Sequence, residues 1–175
     1  MKLHWSVAGL LCAMSLTANA GEYFDEVRFG IANHDSKLID TGKEESWDVN
    51  AELLFKSPSW MKWAFSPRPN IGINANLQGK TDILYVGLAW MIPVAGSFWV
   101  EPNIGFAAND GELNSNKPDR RDLGCHWSFH ESLGFGYSFD PRQSVLATVE
   151  HSSNASICKP NQGISNISLR YGYKL

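Results

Sequence analysis

The sequence predicts an all-β chain that folds into an eight-stranded antiparallel transmembrane β-barrel of the outer membrane. Three observations support this prediction. Apolar and polar residues alternate with a period of two over most of the chain, which is the pattern of strands with two different faces. Aromatic residues make up 12% of the chain and charged residues only 19%. No apolar run after residue 20 approaches the ~18 residues that a spanning helix requires.

Composition also disfavours several classes of protein. The net charge is -3, with 15 Lys and Arg against 18 Asp and Glu. A nucleic-acid-binding domain normally presents a basic face, so we expect no nucleic-acid partner. A hydrophobic content of 43% disfavours intrinsic disorder, and 175 residues correspond to one domain.

The N-terminal segment has the pattern of a secretory signal peptide. Lys2 supplies a positive charge, residues 7–16 form a short apolar stretch, and residues 18–20 (ANA) fit a cleavage site. The apolar stretch is too short to span a membrane as an anchor. We therefore expect residues 1–20 to be a signal peptide cleaved after Ala20, and residues 21–175 to form the barrel domain.

Eight segments carry the alternation expected of strands. The clearest is the C-terminal segment, in which Ile167, Leu169 and Tyr171 share one face while Ser168 and Arg170 share the other. The predicted strands are Glu22–Asn33, Ser46–Lys56, Asn70–Gln78, Asp82–Ile92, Ser97–Ala108, Cys125–Phe139, Ser144–Ser153 and the C-terminal segment that ends at Leu175.

Two architectures fit eight alternating strands. One is a soluble lipocalin-like barrel with apolar faces inward, and the other is a membrane barrel with apolar faces toward lipid. The polar face of Cys125–Phe139 holds small Ser and Gly residues that suit the narrow interior of an eight-stranded barrel, which favours the membrane barrel. Turn residues then place short connections at 93–96 and 140–142 on the periplasmic side, and the long polar segment 109–124 outside the cell.

A histidine and a serine lie at the outer end of the seventh predicted strand. His151 and Ser153 are two residues apart, so they share a face with Val149, and that face is directed toward lipid. Polar groups are costly on a lipid-facing surface and therefore indicate function. A serine becomes a nucleophile when a base such as histidine takes its proton. The alternative interpretation is that the histidine is hydrated among the lipid head groups at the rim, and that the serine is simply the first residue of a loop.

The same residues carry a resemblance to a known family. The stretches 151–155 (HSSNA), 160–163 (PNQG) and 169–173 (LRYGY) resemble the PagL-type lipid A 3-O-deacylases. The resemblance extends over nearly the whole mature chain. It implies an eight-stranded outer-membrane esterase that acts on lipid A, and we expect neither a cofactor nor a metal.

When the roles of the family's residues are transferred to the matching positions, the resemblance implies that His151 is the general base, Ser153 the nucleophile and Asn154 a contributor to the oxyanion hole. The third member of the family's triad is a Glu fourteen residues after the histidine, and this chain has Ser165 at that position. A serine can hold an imidazole by a hydrogen bond, but it cannot stabilise an imidazolium as a carboxylate does. Full activity therefore does not follow from the resemblance.

Glu131 is the candidate for a substitute acid. The hairpin that joins the sixth and seventh predicted strands centres near residue 141, which places residue 131 opposite residue 151. Directly opposed Cβ atoms are ~5 Å apart, so the two side chains would lie within reach of each other. The alternative is a lone acid hydrogen-bonded at the rim, and a register slip of one residue would turn Glu131 inward.

Two cysteines remain after removal of the signal peptide, Cys125 and Cys158, and both fall in the extracellular part of the predicted barrel. An exported chain with two cysteines predicts one disulfide, and two free thiols are the alternative.

The function predicted from these residues is removal of an ester-linked acyl chain from lipid A, with lipopolysaccharide and outer-membrane lipid as partners. A barrel of the same family without catalysis, and with a structural or adhesive role, is the second hypothesis. A soluble lipocalin-like binder is the third. Homo-oligomerisation stays open on the sequence.

Overall fold

The computed structural model describes residues 20–175. Residues 1–19 of the predicted signal peptide lie outside the described residues. A short helix, α1 (Ala20–Tyr23), leads directly into the first strand, and a 3-10 helix (Ser59–Ala64) lies between the second and third strands. Within residues 20–175, no helix is long and apolar enough to cross a membrane. The strands of this part of the chain are β1 (Phe24–His34), β2 (Ser46–Phe55), β3 (Arg68–Asn76), β4 (Ile83–Ala89), β5 (Ile92–Ala95), β6 (Phe98–Asn109), β7 (Trp127–Ser138), β8 (Gln143–Ser153) and β9 (Ile164–Lys174).

Antiparallel pairing closes these strands into a barrel. Neighbours in the ring run β4, β3, β2, β1, β9, β8, β7 and β6, and β6 pairs back with β4. The short β5 also pairs with β6, next to the segment of β6 that pairs with β4, so β4 and β5 together occupy one position in the ring. The fold is therefore a closed eight-stranded antiparallel barrel, as the sequence predicts, and every ring position has a hydrogen-bonded neighbour on both sides.

The structure differs from the sequence prediction at the fourth strand. Asp82–Ile92 is not continuous, because it breaks after Ala89 and resumes as β5. At the break, the Trp90 indole N–H donates to Ala64 O of the 3-10 helix at 2.8 Å. Pro93 therefore lies in a strand, and not in a turn as the sequence predicts. The turn consists of residues 96 and 97, and Gly96 adopts the positive φ of 56° that favours glycine. Proline is tolerated there because β5 pairs on one side only.

Apolar side chains cover the outside of this barrel. Ile104, Leu133 and Phe135 are 59%, 60% and 54% exposed, and they lie on the outward faces of β6 and β7. The inward faces of the strands carry charged and polar residues that are almost completely buried. This distribution excludes the soluble lipocalin-like alternative, which needs its apolar faces inside, and it is the pattern of a transmembrane barrel.

An ion-pair network runs through the barrel interior. Arg28 contacts three carboxylates, those of Glu26 at 2.9 Å, of Glu52 at 3.1 Å and of Glu101. Because a buried charge without a partner costs several kcal/mol, dense pairing is what permits a charged interior. The buried members of the network are Arg28, Arg68 and Arg170 with Glu26, Glu52, Glu101 and Glu150.

Arg28→Met should destabilise the barrel by about 3–5 kcal/mol, because it removes one of the two cations that Glu26 and Glu101 share and leaves the buried carboxylates in excess. The measurement is urea unfolding in phospholipid vesicles, followed by the heat-modifiable mobility of the folded barrel in gels. Lys37→Met is the control. Lys37 pairs with Glu45 at 2.6 Å in an exposed loop, so its loss should cost less than about 1 kcal/mol. Equal destabilisation by the two variants would contradict the role given to the interior network.

Candidate active site

His151 and Ser153 end β8 on the outward face of the barrel. The strand runs to Ser153, and the inward residues that alternate with them, Glu150 and Ser152, are buried at 2% and 8% exposure. Both His151 and Ser153 are half-buried, so each is open to the surroundings of the barrel on one side. The predicted pair therefore lies on the outward face of the barrel, at the end of β8.

Ser165 holds the His151 ring from the neighbouring strand. It lies directly opposite His151 in the β8–β9 pairing, and its Oγ is 2.8 Å from His151 Nδ1. Ser165 is 4% exposed, although it belongs to the outward face of β9, so the contact is shielded. In the tautomer that carries its proton on Nδ1, the Nδ1–H group donates to Ser165 Oγ and Nε2 has a free lone pair. Ser165 is thus a neutral hydrogen-bond partner of the ring.

Gly163 packs against both His151 and Ser153. A Cβ atom on this glycine would stand 3.0 Å from His151 Cε1 and 3.3 Å from Ser153 Cβ, so the two side chains meet over the same small residue. Gly163 also has a φ of 59°, a conformation that favours glycine. No hydrogen bond joins Ser153 Oγ to His151 within residues 20–175, and catalytic hydrogen bonds often tighten only when substrate binds.

Gly163→Ala should lower the rate of ester hydrolysis at least ~10-fold, because the added methyl group displaces the imidazole from Ser153 by a fraction of an ångström. Gly96→Ala is the matched control. Gly96 also has a positive φ, but nothing lies within 4 Å of the position of its Cβ. Both variants carry the same backbone cost of about 1 kcal/mol, and only Gly163→Ala should lose activity in a detergent-micelle esterase assay. Equal activity of the two variants would show that Gly163 does not position the pair.

Glu131 lies directly opposite His151 on the other neighbouring strand, as the predicted hairpin register requires. Its side chain is exposed, and within the described part of the chain it forms neither a hydrogen bond nor an ion pair with His151. His151 is therefore flanked by Ser165 on β9 and by Glu131 on β7, and of these two only Ser165 is bonded to it. The role of Glu131 as a substitute acid stays a prediction.

Asn154 is buried in the loop that follows β8. Its side-chain Nδ2 donates to Leu123 O at 2.6 Å, and its Oδ1 accepts from the Cys158 N–H at 3.3 Å. Its own backbone N–H donates to Asn161 Oδ1 at 3.0 Å. At 1% exposure this amide is a bridge between two loops, so its contribution to an oxyanion hole stays a prediction.

The loops at this end of the barrel are joined by covalent and ionic links close to the pair. Cys125 and Cys158 form the predicted disulfide, with Cα atoms 5.8 Å apart, which ties the segment before β7 to the loop before β9. Arg121 forms two contacts with Asp35, at 2.8 and 2.7 Å, and donates to Gln162 O at 3.3 Å. Burial alone would lower the pKa of Arg121, but the charge and hydrogen bonds of Asp35 hold it above its ordinary value. These links fix the residue that precedes Gly163.

Sequence reasoning did not assign a role to Gly163 or to Arg121. Gly163 belongs to the motif 160–163 that carries the family resemblance, but its contact with His151 and Ser153 depends on the path of the loop, as does the contact of Arg121 with Asp35. The structure also contains a second histidine–serine pair, in which His130 Nδ1 lies 3.0 Å from Ser152 Oγ. This pair is buried inside the barrel, where His130 stacks on Tyr85 with ring centroids 4.4 Å apart, so it is closed to substrate.

The fold is that of a transmembrane β-barrel, and a histidine and a serine lie on its outward face at the end of β8. Residues 46–174 match the sequence model of the family described as Lipid A 3-O-deacylase (PagL), and the chain belongs to this family.

One sequence relative and two solved structures are similar to this chain, and the two structures support the barrel fold. The chain is 36% identical over 73 residues to the lipid A deacylase PagL of Pseudomonas aeruginosa, a match that spans 42% of this chain and 40% of that protein. The crystal structure of the outer membrane enzyme PagL superposes with a TM-score of 0.63 at 22% identity, covering 87% of this chain and 99% of that one. The N-terminal β-barrel domain of Pseudomonas aeruginosa OprF has a TM-score of 0.58 at 9% identity, with 87% and 97% covered.

Proposed function

We propose that this protein is an outer-membrane esterase that removes the 3-O-linked acyl chain of lipid A, with Ser153 as nucleophile and His151 as general base. The observation that supports the proposal is that both residues lie on the outward face at the end of β8 and pack against Gly163, in a chain of the deacylase family. We further propose that the chain is exported and that residues 1–20 are removed after Ala20.

The proposed reaction is an acyl transfer in two steps. His151 Nε2 takes the proton of Ser153 as Oγ attacks the ester carbonyl, and the tetrahedral intermediate collapses to acyl-Ser153 as the bond to the sugar oxygen breaks. His151 gives its proton to that oxygen, which leaves as the sugar hydroxyl. Water, deprotonated by His151, then attacks the acyl-Ser153 ester and releases a free fatty acid. Each transfer needs the imidazole to alternate between neutral and charged forms while Nδ1 stays bonded to Ser165 Oγ.

The imidazolium formed in each step needs a counter-charge that Ser165 does not carry. Glu131 is the carboxylate opposite His151 in the β7–β8 ladder, and a neighbouring negative charge stabilises the charged ring. The acid of a usual triad orients the histidine ring and stabilises its positive charge. We therefore assign these two roles to two residues: Ser165 orients the ring, and Glu131 supplies the negative charge. This division accounts for a family member that lacks the family's Glu.

The location of the pair determines how substrate approaches. His151 and Ser153 face outward at the end of β8, and the residues below them on β7 and β8 are apolar and exposed, among them Leu133 and Val149. A lipid in the outer leaflet can therefore diffuse sideways along the wall until its ester reaches Ser153. Lipid A, which is anchored in that leaflet, fits this route.

Ser153→Ala should abolish deacylation in a test of the purified barrel with lipid A in mixed micelles. Mass spectra should show the loss of one acyl chain with the unmodified protein and intact lipid A with the variant, because the variant lacks the hydroxyl that His151 would activate. Heat-modifiable mobility confirms that the variant is folded. Intact lipid A in both samples would instead support the second hypothesis, a barrel of this family with a structural or adhesive role and no catalysis.

Ser165→Glu should raise kcat at least ~10-fold, because it places a carboxylate on His151 Nδ1. Glu131→Gln should lower kcat by roughly tenfold while KM changes little, since a charge that acts only on the imidazolium affects the transition state. In the double variant the loss caused by Glu131→Gln should shrink, because the carboxylate introduced by Ser165→Glu then provides the charge.

The measurement is kcat and KM on a soluble ester for the single and double variants. Unchanged kcat in Glu131→Gln would remove Glu131 from the mechanism and leave Ser165 as the sole partner of the ring. Lower kcat in Ser165→Glu would show that the native hydroxyl is the better orienting group at this position.

A further inference from the structure

A small cavity lies next to Ser153, where loops cover this end of the barrel. Its wall is formed by the beginning of β7, the end of β8 and the loop before β9, and it includes Ser128, Ser153, Asn161 and Gly163. Its volume is about 10 Å³. A cavity needs roughly that volume to hold one water molecule, so this one admits a single water molecule and excludes a lipid chain.

Three side-chain groups at the cavity have no hydrogen-bond partner among residues 20–175. They are Ser128 Oγ, Ser153 Oγ and Asn161 Nδ2. Asn161 uses only its Oδ1, which accepts from the backbone N–H of Asn154 at 3.0 Å. Ser128 is 5% exposed, and a buried hydroxyl without a partner is costly. Because a buried water molecule typically makes about three hydrogen bonds, one water molecule can satisfy all three groups.

Gly163 leaves the cavity open toward His151. The glycine lines the cavity, and a Cβ atom on it would stand 3.0 Å from His151 Cε1 and 3.3 Å from Ser153 Cβ. Since Gly163 has no side chain, nothing from this residue fills the space between the cavity and the imidazole. Cε1 is bonded to Nε2, the nitrogen that acts as the base in the proposed reaction. Water on the Gly163 side of the cavity is thus close to both Ser153 and the basic edge of the ring.

The cavity lies on the opposite side of Ser153 from the outer surface of the barrel. The outer surface next to the pair carries apolar side chains such as Leu133, which is 60% exposed, and in the proposed reaction a lipid covers it. Ser128 belongs instead to the inward face of β7, and Asn161 in the loop is only half-buried. Lipid can therefore reach Ser153 from outside the wall, and water can reach it from the side of the loops.

We propose that this cavity binds the hydrolytic water, and that Ser128 and Asn161 hold that water for attack on acyl-Ser153. The proposal rests on the proposed function, and it adds the source of the water used in the second step. The water gives one proton to His151 Nε2 while its oxygen bonds to the carbonyl carbon of the acyl-enzyme. The bond from that carbon to Ser153 Oγ then breaks, Oγ takes the proton back from His151, and the fatty acid leaves.

Ser128→Val tests the water site, because it removes one hydroxyl and fills the cavity with methyl groups. The acyl-enzyme is formed from para-nitrophenyl butyrate in detergent micelles that contain octanol, so that water and octanol compete for the same intermediate. The ratio of octyl butyrate to butyric acid, measured by gas chromatography, should rise at least ~10-fold in the variant, because the water loses its fixed position while octanol still enters from the lipid side. A change that only disturbs His151 and Ser153 slows both transfers and leaves the ratio as it was.

Ser132→Val is the matched control. Ser132 lies on the same inward face of β7, is half-buried, has no hydrogen bond within the described part of the chain and does not line the cavity. Its replacement should leave the ratio unchanged. Ser128→Thr is a second test, since it adds one methyl group and keeps the hydroxyl, and it should raise the ratio at least ~3-fold. Heat-modifiable mobility identifies the folded variants, and a ratio in the folded Ser128 variants equal to that of Ser132→Val would overturn the water site.

A crystal structure of the unmodified protein separates the water site from the chemistry. An ordered water molecule should lie within about 3.2 Å of both Ser128 Oγ and Asn161 Nδ2. If intact mass spectrometry shows that the ester never acylates Ser153, the proposed function fails, and the crystal structure then decides the water site. Ordered side chains around the cavity with no water molecule between them would overturn it.

Discussion

The charged interior of the barrel is the constraint on which the rest of the structure depends. Arg28, Arg68 and Arg170 share four buried carboxylates, and they find these partners only when each strand presents its alternate polar residues inward. A slip of one residue in any strand pair would move charges to the lipid side and apolar groups inside. The network therefore fixes the register of the ladder and, with it, the outward direction of His151 and Ser153.

The candidate site follows from that register. His151 and Ser153 face lipid because Glu150 and Ser152 must face inward, and the same alternation brings Ser165 and Glu131 to the two flanks of the imidazole. The extracellular loops then complete the site. The disulfide and the Arg121–Asp35 contact hold the loop in which Gly163 lies, so the residue behind the pair is kept in place by links outside the membrane.

Much of this arrangement could be predicted from the sequence, because period-two alternation determines which residues share a face. The opposition of Glu131 and His151 was predictable because the turn after Asp140 is short, which leaves little freedom in the hairpin register. The break of the strand after Ala89 could not be predicted, because it accompanies a contact between Trp90 and a 3-10 helix that is distant in the chain. The burial of Asn154 and the packing of Gly163 also depend on loop paths set by tertiary contacts, which leave no periodic signal.

The central claim is that His151 activates Ser153 on the lipid-facing rim, and covalent labelling tests it most directly. A lipophilic phosphonate ester that reacts with activated serines should modify Ser153, as located by peptide mass spectrometry of the folded barrel. His151→Ala should reduce the labelling rate at least ~100-fold, since the hydroxyl then has no adjacent base. Labelling of Ser153 at the same rate in the unmodified protein and in His151→Ala, or no labelling in either, would contradict the account.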